Sequence, residues 1–289
     1  MSAVLDLRAP ARAVGLSLPP AGVLQRPAIA TWRERMSNEH GSARVFEVLA
    51  TQCRRLGRDD DARELASFAD EERRHGVLCG AVVEALGGEA TAPSAEPRPI
   101  PLHEDADTPL EALLRNVLSV CCASETVAVA LIGAERSLMP AGPLRQLLTE
   151  IWADEVGHAR FGWRLLATVD ASLDASMRAR LRDYVEVALA HLVAHELAHL
   201  PLIEPPRAGA SLGLCNGRDA RSLLFDAIDT VILPGLARHG LAPQTLLRRG
   251  STLHAAPGSP VAESIDPRLE ESCEPVEVAA ADDEPHLGA

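Results

Sequence analysis

Hydrophobic and polar positions follow a helical period over four long stretches of the chain. In each stretch, apolar residues recur in steps of three and four, which places their side chains on one face of an α-helix. The pattern predicts helices from about Pro27 to Leu56, from Asp61 to just before Gly87, from Pro109 to Leu138 and from Leu144 to Val169. Four helices that each have one apolar face predict a four-helix bundle over residues 28–170.

Two further helices are predicted after the bundle. The first is very apolar and runs from Ala175 to Leu200, and the second runs from Arg218 to about His239 with an interruption at Pro234-Gly235. A proline-rich stretch from Pro93 to Pro101 is long enough to carry the chain back along the bundle. The predicted fold class is therefore all-α, a four-helix bundle with one long crossover and two additional C-terminal helices at 175–239.

The two ends of the chain lack this periodicity. Residues 1–27 are rich in alanine, proline and glycine, and we expect them to form a mobile N-terminal arm. From residue 250 to residue 289 the chain has nine acidic residues against one arginine and is rich in small residues, a composition typical of disorder. We therefore expect a helical domain at 28–249, followed by an acidic, disordered tail at 250–289.

Composition narrows the classes of function. Only 3% of the residues are aromatic and the net charge is −13, which argues against a nucleic-acid surface because phosphate binding requires clustered lysine and arginine. No run of eighteen uncharged apolar residues and no secretory leader is evident, so neither a membrane span nor secretion is expected. The six cysteines form no Cys-x-x-Cys pair, which favours reduced thiols and a cytoplasmic location.

Polar residues interrupt the apolar face of each bundle helix in a repeated order. A lone glutamate is followed by Glu-x-x-His after 33 residues (72 − 39) in the first helix pair and after 30 residues (155 − 125) in the second. In a helix, Glu at position i and His at position i+3 project from one face, so both can reach one metal ion. The six residues are Glu39, Glu72, His75, Glu125, Glu155 and His158.

These residue types indicate a two-metal site. Four buried carboxylates are unfavourable unless cations or protons neutralise them, and two divalent ions balance four carboxylates. A core that is satisfied by protons alone is the alternative. Glutamate and histidine together suit iron or manganese better than calcium or structural zinc.

Glu71 and Asp154 precede the two motifs and are candidates to accept a hydrogen bond from the second ring nitrogen of a ligand histidine. The predicted catalytic groups are the carboxylates of Glu39, Glu72, Glu125 and Glu155.

Over residues 28–170 the chain resembles the ferritin-like di-iron carboxylate proteins, whose pattern is Glu and then Glu-x-x-His in two helix pairs. The stretch from Glu39 to His75 looks like the first helix pair of rubrerythrins, and Asp-Glu-x-x-His at 154–158 resembles di-iron oxygenases and ribonucleotide reductase small subunits. No rubredoxin-type cysteine pairs follow the bundle, and Ile151 stands where arylamine N-oxygenases carry an additional histidine. The resemblance therefore does not extend to a complete rubrerythrin or to N-oxygenation.

The resemblance implies a ferritin-like bundle that holds two iron ions, with manganese or a mixed manganese–iron pair as alternatives. It implies one ion bound by Glu39, Glu72 and His75 and the other by Glu125, Glu155 and His158, with Glu72 and Glu155 as bridges. On this basis we expect an oxidase or oxygenase that activates O2 or peroxide to oxidise a small organic substrate. The two additional helices would wall an apolar pocket beside the metals, and a separate electron donor is required.

Two other classes of function stay open at this stage. The first is a ferroxidase or a rubrerythrin-like protein that scavenges peroxide. The second is a non-catalytic helical protein that the metal stabilises, or one that binds a partner through its acidic tail. A homodimer is compatible with the sequence.

A competing motif lies in the fifth predicted helix, where residues 195–199 read His-Glu-Leu-Ala-His, with His191 one turn earlier. In a zinc peptidase, His195 and His199 would bind zinc and Glu196 would activate water. The third protein ligand is missing from the local sequence, Pro201 ends the helix soon afterwards, and no strand to hold a peptide is evident. A zinc peptidase is therefore the least favoured function. An extra metal site at His191, His195 and His199 is one alternative, and a packing face is the other.

Overall fold

A computed structural model describes residues 4–93, 100–201 and 204–243, and it confirms the predicted all-α bundle. The predicted acidic tail at 250–289 and part of the predicted crossover lie outside these ranges. The helices are α1 (Arg8–Ala13), α2 (Gln25–Arg55), α3 (Asp59–Ala85), α4 (Pro109–Val117), α5 (Glu125–Leu138), α6 (Pro143–Val169), α7 (Ala175–His199), α8 (Gly217–Ala227) and α9 (Leu233–Arg238).

The first two bundle helices, α2 and α3, pack against each other along their length and are joined by a tight turn. Gly57 has a φ of 68° in this turn, a left-handed conformation that glycine adopts without strain and that commonly ends a helix. Three aspartates, at 59–61, occupy the first turn of α3 and complement the positive end of its dipole. The predicted bounds of both helices agree with the structure to within two residues.

The sequence predicts one regular α-helix for the third bundle helix. The structure differs, because a π-helical segment at Leu118–Ser124 separates α4 from α5. Each π-turn widens the helix and shifts the residues that follow it around the axis. Glu125 is the first residue of α5, directly after this segment. The local irregularity therefore sets the direction in which Glu125 projects.

The sixth predicted helix also contains a π-helical segment. It begins at Gly217 and passes through a π-turn at Ile228–Ile232 into α9. The interruption thus lies at the π-turn, a few residues before the predicted position at Pro234-Gly235. Pro234 itself lies in the first turn of α9, where its missing N–H needs no partner.

The N-terminal segment is packed against the bundle, so the expected mobile arm is wrong for residues 4–24. Strand β1 (Val4–Asp6) pairs antiparallel with β2 (Thr91–Pro93), and Ala11 on α1 is only 1% exposed. Leu7 donates a backbone hydrogen bond to the carbonyl of Ala90. The sequence gives little signal for this docking because the strands are three residues long.

The buried apolar residues form two clusters, one toward each end of the bundle. Along α2 the membership changes between Met36 and Ala43, and along α3 it changes between Ala69 and Cys79. These are the intervals that contain the predicted polar residues of the two helices. A polar layer therefore divides the apolar core.

One described helical run, 109–138, is long and apolar enough to cross a membrane by length and composition alone. It carries three buried glutamates, Glu111, Glu125 and Glu135. Core helices of soluble bundles pass the same test, so the finding is weak evidence for a membrane span.

Candidate metal centre

Four helices bring the six predicted ligand residues into the polar layer. Glu39 comes from the middle of α2, Glu72 and His75 from α3, Glu125 from the start of α5, and Glu155 and His158 from α6. Both histidines are 0% exposed, and Glu72 and Glu155 are almost completely buried, at 2% and 3% exposed. The side chain of Glu39 is the most accessible of the six, at 18%.

The six residues form two overlapping groups of candidate metal ligands. One group is Glu39, Glu72, His75 and Glu155, and the other is Glu72, Glu125, Glu155 and His158. Within each group the donor atoms lie within 4.8 Å of one another. Glu72 and Glu155 belong to both groups, which is the arrangement that two ions sharing bridging carboxylates require.

The outer nitrogen of each histidine contacts an acid from the opposite helix. Nε2 of His75 lies 2.9 Å from Oδ2 of Asp154, and Nε2 of His158 lies 2.9 Å from Oε2 of Glu71. The two acids predicted to anchor the histidines therefore do so crosswise between α3 and α6. With Nε2–H donating outward, each Nδ1 faces the carboxylates of the centre.

A buried histidine nitrogen without a hydrogen bond indicates whether the centre fits a metal ion. Nδ1 of His75 lies 3.3 Å from Oε1 of Glu155 and 3.6 Å from Oε2 of Glu39, yet it makes no hydrogen bond with any described residue. Nδ1 of His158 is 3.3 Å from Oε1 of Glu72 and 3.2 Å from Oε2 of Glu155. Buried nitrogen and oxygen donors at these separations suit a cation between them. The residues therefore fit a bound metal ion.

The pKa values of the cluster show how it is neutralised without cations. Burial raises the pKa of Glu72 to about 8 and, together with the charge of Glu155, raises the pKa of Glu125 well above its ordinary range. Burial acts in the same direction on Glu155, but the neighbouring imidazoles of His158 and His75 hold its pKa below the ordinary value.

The pKa values of the two histidines are raised, whereas burial alone lowers the pKa of a histidine. Burial lowers the pKa of an imidazole, but the surrounding carboxylates outweigh it and raise the pKa of His75 to about 11 and also raise that of His158. The metal-free cluster therefore retains protons, and bound cations would displace them.

Aromatic rings enclose one side of the centre. The ring of His158 lies 4.9 Å from that of Phe46 and 4.4 Å from that of Phe68, measured between centroids. Both phenylalanines are at most 6% exposed. These rings keep water from the His158 side and fix the plane of its imidazole.

A cavity of about 380 Å³ lies beside the centre, a volume within the usual range of small-molecule sites. Glu39, Glu72, Glu125 and Glu155 form part of its wall. Its apolar wall comes from α2, α5 and α6 and includes Val45, Ala128, Leu131, Ile132, Leu148 and Ile151.

The helix that carries the His-Glu-x-x-His motif contributes to this cavity. His195 and Glu196 of α7 line it, so the first of the two additional helices walls the pocket as expected. Among the residues that the structure describes, none of α8 or α9 is part of the wall.

The three histidines of α7 do not lie on a packing face, because His191, His195 and His199 are all exposed. The rings of His195 and His199 are 4.3 Å apart, and Nδ1 of His199 contacts the backbone carbonyl of His195. Neither group of candidate ligands found within the described ranges includes these histidines. An extra metal site here stays a prediction.

Sequence reasoning missed a partly buried ion pair in the cavity wall. Nη2 of Arg35 on α2 lies 2.6 Å from Oε2 of Glu135 on α5, and both residues line the cavity. Arg35 precedes Glu39 by one helical turn, which is the signal in the sequence that could have identified it. No such signal marks Glu135, which lies near the exposed end of a predicted helix.

Comparisons of the chain with protein-family models, with curated proteins and with solved structures found no match. The function must therefore be inferred from the centre and the cavity themselves.

Proposed function

We propose that this protein is a ferritin-like di-iron carboxylate enzyme, an oxidase or oxygenase that uses O2 or peroxide to oxidise a small organic molecule. The observation that carries the proposal is a buried cluster of four glutamates and two histidines, with two glutamates shared between its halves, directly beside a cavity. When bound, a pair of iron ions would supply the electrons and the oxygen chemistry for the oxidation.

The residues of this chain have separate tasks in that reaction. Glu72 and Glu155 would bridge the ions, while Glu39 with His75 and Glu125 with His158 would complete the two halves. With metal bound, Asp154 and Glu71 would hold the two imidazoles in the tautomer whose Nδ1 lone pair faces inward. Glu39 is the ligand with the greatest freedom to move, since its side chain is the most exposed.

The apolar part of the cavity wall favours an organic substrate over free ferrous ions. Hydrocarbon is presented beside the centre by Ile132, Leu148 and Ile151. Such a wall binds an apolar substrate by removing it from water.

The first test is metal content by elemental analysis of full-length protein produced with iron and manganese supplied. We expect about two equivalents of iron, lost in Glu72→Ala and in Glu155→Ala. Glu64→Ala on α3 and Glu150→Ala on α6 are matched controls, because both side chains pair with surface arginines. Zinc that survives the first two substitutions would move the site to His195 and His199, and protein without metal in any preparation would contradict the proposal.

The second test separates the oxidase from its alternatives. Reduced iron-loaded protein is mixed with O2, and oxygen consumption is followed with and without a panel of organic molecules. Consumption that depends on an organic molecule supports the proposed reaction. Rapid consumption driven by added ferrous ion alone would assign a ferroxidase, and no consumption in either case would assign a structural metal centre.

A further inference from the structure

The cavity has a polar end formed by the Arg35–Glu135 pair. Nη2 of Arg35 donates to Oε2 of Glu135 over 2.6 Å, and the carboxylate is only 8% exposed. Arg35 also stacks on Trp32, with its guanidinium carbon 4.9 Å from the ring centroid. The pair is therefore fixed in place between α2 and α5.

The second oxygen of this carboxylate, Oε1, is buried and has no hydrogen-bond partner among the residues that the structure describes. Glu111 provides a direct comparison, because it is 0% exposed and lies outside the centre, yet its two oxygens are taken by Arg115 and Arg180 at 2.8 and 2.9 Å. A buried carboxylate oxygen without a donor is unfavourable by a hydrogen bond. Within the described part of the chain, Oε1 of Glu135 therefore still lacks a hydrogen-bond donor.

A glycine lies directly beside this oxygen. A Cβ at Gly213 would lie 2.9 Å from Oε1 of Glu135 and 2.7 Å from the ring of Trp32. Gly213 also has a φ of 80°, where a side chain is strained. Any other residue at this position would press on the Glu135 carboxylate.

The polar end and the metal centre lie at different levels of the bundle. Glu135 follows Glu125 by ten residues on α5, which is about 15 Å along the helix axis. Ala128, Leu131 and Ile132 line the cavity between them. An occupant that reached both ends would therefore be apolar along its body and polar at the end far from the centre.

We propose that Glu135 recognises a hydroxyl group on an otherwise apolar substrate, whose opposite end extends toward the metal centre. This inference rests on the proposed function, since it names the substrate class of the same cavity. Arg35 already neutralises Glu135, so an ammonium group would meet the guanidinium as well as the carboxylate. A carboxylate on the ligand would face Oε1 without a proton to donate. A neutral O–H group supplies the missing donor without adding a charge.

Four probes of one shape test this assignment. They are 4-phenylbutan-1-ol, its methyl ether, 4-phenylbutylamine and 4-phenylbutanoate, each titrated into the full-length, metal-loaded protein by isothermal calorimetry. We expect the alcohol to bind at least about tenfold more tightly than the ether, because only the alcohol donates to Glu135. Equal affinities of alcohol and ether would overturn the proposal. Tightest binding of the amine or of the acid would do the same.

Variants show whether the preference arises at Glu135. In the double variant Arg35→Met with Glu135→Met, the preference for the alcohol should fall to about onefold, because replacing both members of a buried pair leaves no unpaired charge. The matched control is Glu64→Met with Arg164→Met, a surface pair, in which the preference should be unchanged. A preference that survives in the first double variant would overturn the assignment to Glu135.

A second variant keeps the test valid where the double variant fails to fold. Ala128→Leu fills the cavity and leaves the ion pair intact, so it should weaken alcohol binding at least about tenfold. Unchanged affinity would place the alcohol outside the cavity and contradict the proposal.

Metal content, measured on the same samples, separates the two proposals. Metal-loaded protein without a preference for the alcohol would overturn the hydroxyl site only. A preference in protein that never binds metal would overturn the di-iron function and leave the hydroxyl site standing.

Discussion

Each histidine of the centre depends on an acid from the other Glu-x-x-His helix. Asp154 of α6 holds His75 of α3, and Glu71 of α3 holds His158 of α6. The candidate metal ligands are therefore oriented by contacts that also join the two helices. A change to one acid should disturb the histidine across the interface and leave its own helix intact.

Glu71→Ala should reduce metal affinity about 10–100-fold, because the ring of His158 loses the acceptor that fixes its tautomer and orientation. All six predicted ligands remain in this variant. The measurement is competition with a chromophoric chelator for the metal that the protein binds. Asp70→Ala is the matched control, since Asp70 is 81% exposed and pairs with Arg73 on its own helix. Equal losses in the two variants would contradict the role of Glu71.

At the scale of elements, α6 approaches the π-helical segment more closely than any side chain at the contact would allow. A Cβ at Gly162 would lie 2.6 Å from the Cβ of Cys121 and 2.9 Å from its carbonyl carbon. This contact fixes the segment that precedes Glu125. The glycine is therefore required by packing, although glycine weakens the interior of a helix.

Gly162→Ala should lower the free energy of unfolding by about 1–3 kcal/mol, because the added methyl overlaps backbone as well as side-chain atoms. Gly157→Ala lies on the same helix with nothing within 4 Å of the new Cβ. It should be neutral or more stable by up to about 1 kcal/mol, the usual gain in helix propensity. Urea unfolding followed by circular dichroism measures both values. A tolerated Gly162→Ala would contradict the close approach of the two elements.

The N-terminal helix α1 is a structural part of the fold rather than an appendage. Ala11 is 1% exposed and faces Gly80 of α3, where a new Cβ would lie 3.4 Å from its own. Arg12 on the same helix pairs with Glu84 at 2.7 Å. The short helix is therefore held at both its apolar and its charged positions.

Ala11→Glu should lower the free energy of unfolding by about 2 kcal/mol or more, because it places an unpaired charge against the end of α3. Ala9→Glu is the matched control, since Ala9 is exposed on the same helix and should tolerate the change within about 0.5 kcal/mol. Thermal and urea unfolding of both variants provide the comparison. Equal stabilities would restore the view that this segment is a loose arm.

The sequence predicts elements that have a strong period and fails where the fold depends on single contacts. The long helices and the six polar residues on their apolar faces follow from spacing alone. The π-helical segment before Glu125 has no signal in the spacing, because it preserves the apolar character of the run. The crossing of Glu71 to His158 also escapes prediction, because spacing along one helix does not show how two helices are rotated about each other.

At the scale of the whole molecule, the polar layer opposes the stability of the bundle. Four carboxylates lie between two apolar clusters, and the metal-free protein neutralises them with protons and histidines. Burial of such charges is unfavourable without cations. The binding of two metal ions should therefore be coupled to folding, and the metal-free protein should be the less stable form.

Glu72→Gln tests this coupling, because the amide has the shape of the carboxylate and no charge. In the metal-free state the variant should be more stable than the wild type by about 1–3 kcal/mol, since a buried acid that is shared by both halves of the cluster is replaced by a neutral group. On addition of metal the wild type should gain about 4 kcal/mol at a thousandfold excess over the dissociation constant, whereas the variant should gain little. Thermal unfolding with chelator and with metal gives both values. Glu64→Gln, at an exposed position on the same helix, should have the stability of the wild type in both states. If metal does not change the thermal unfolding of the wild type, the cluster does not bind it.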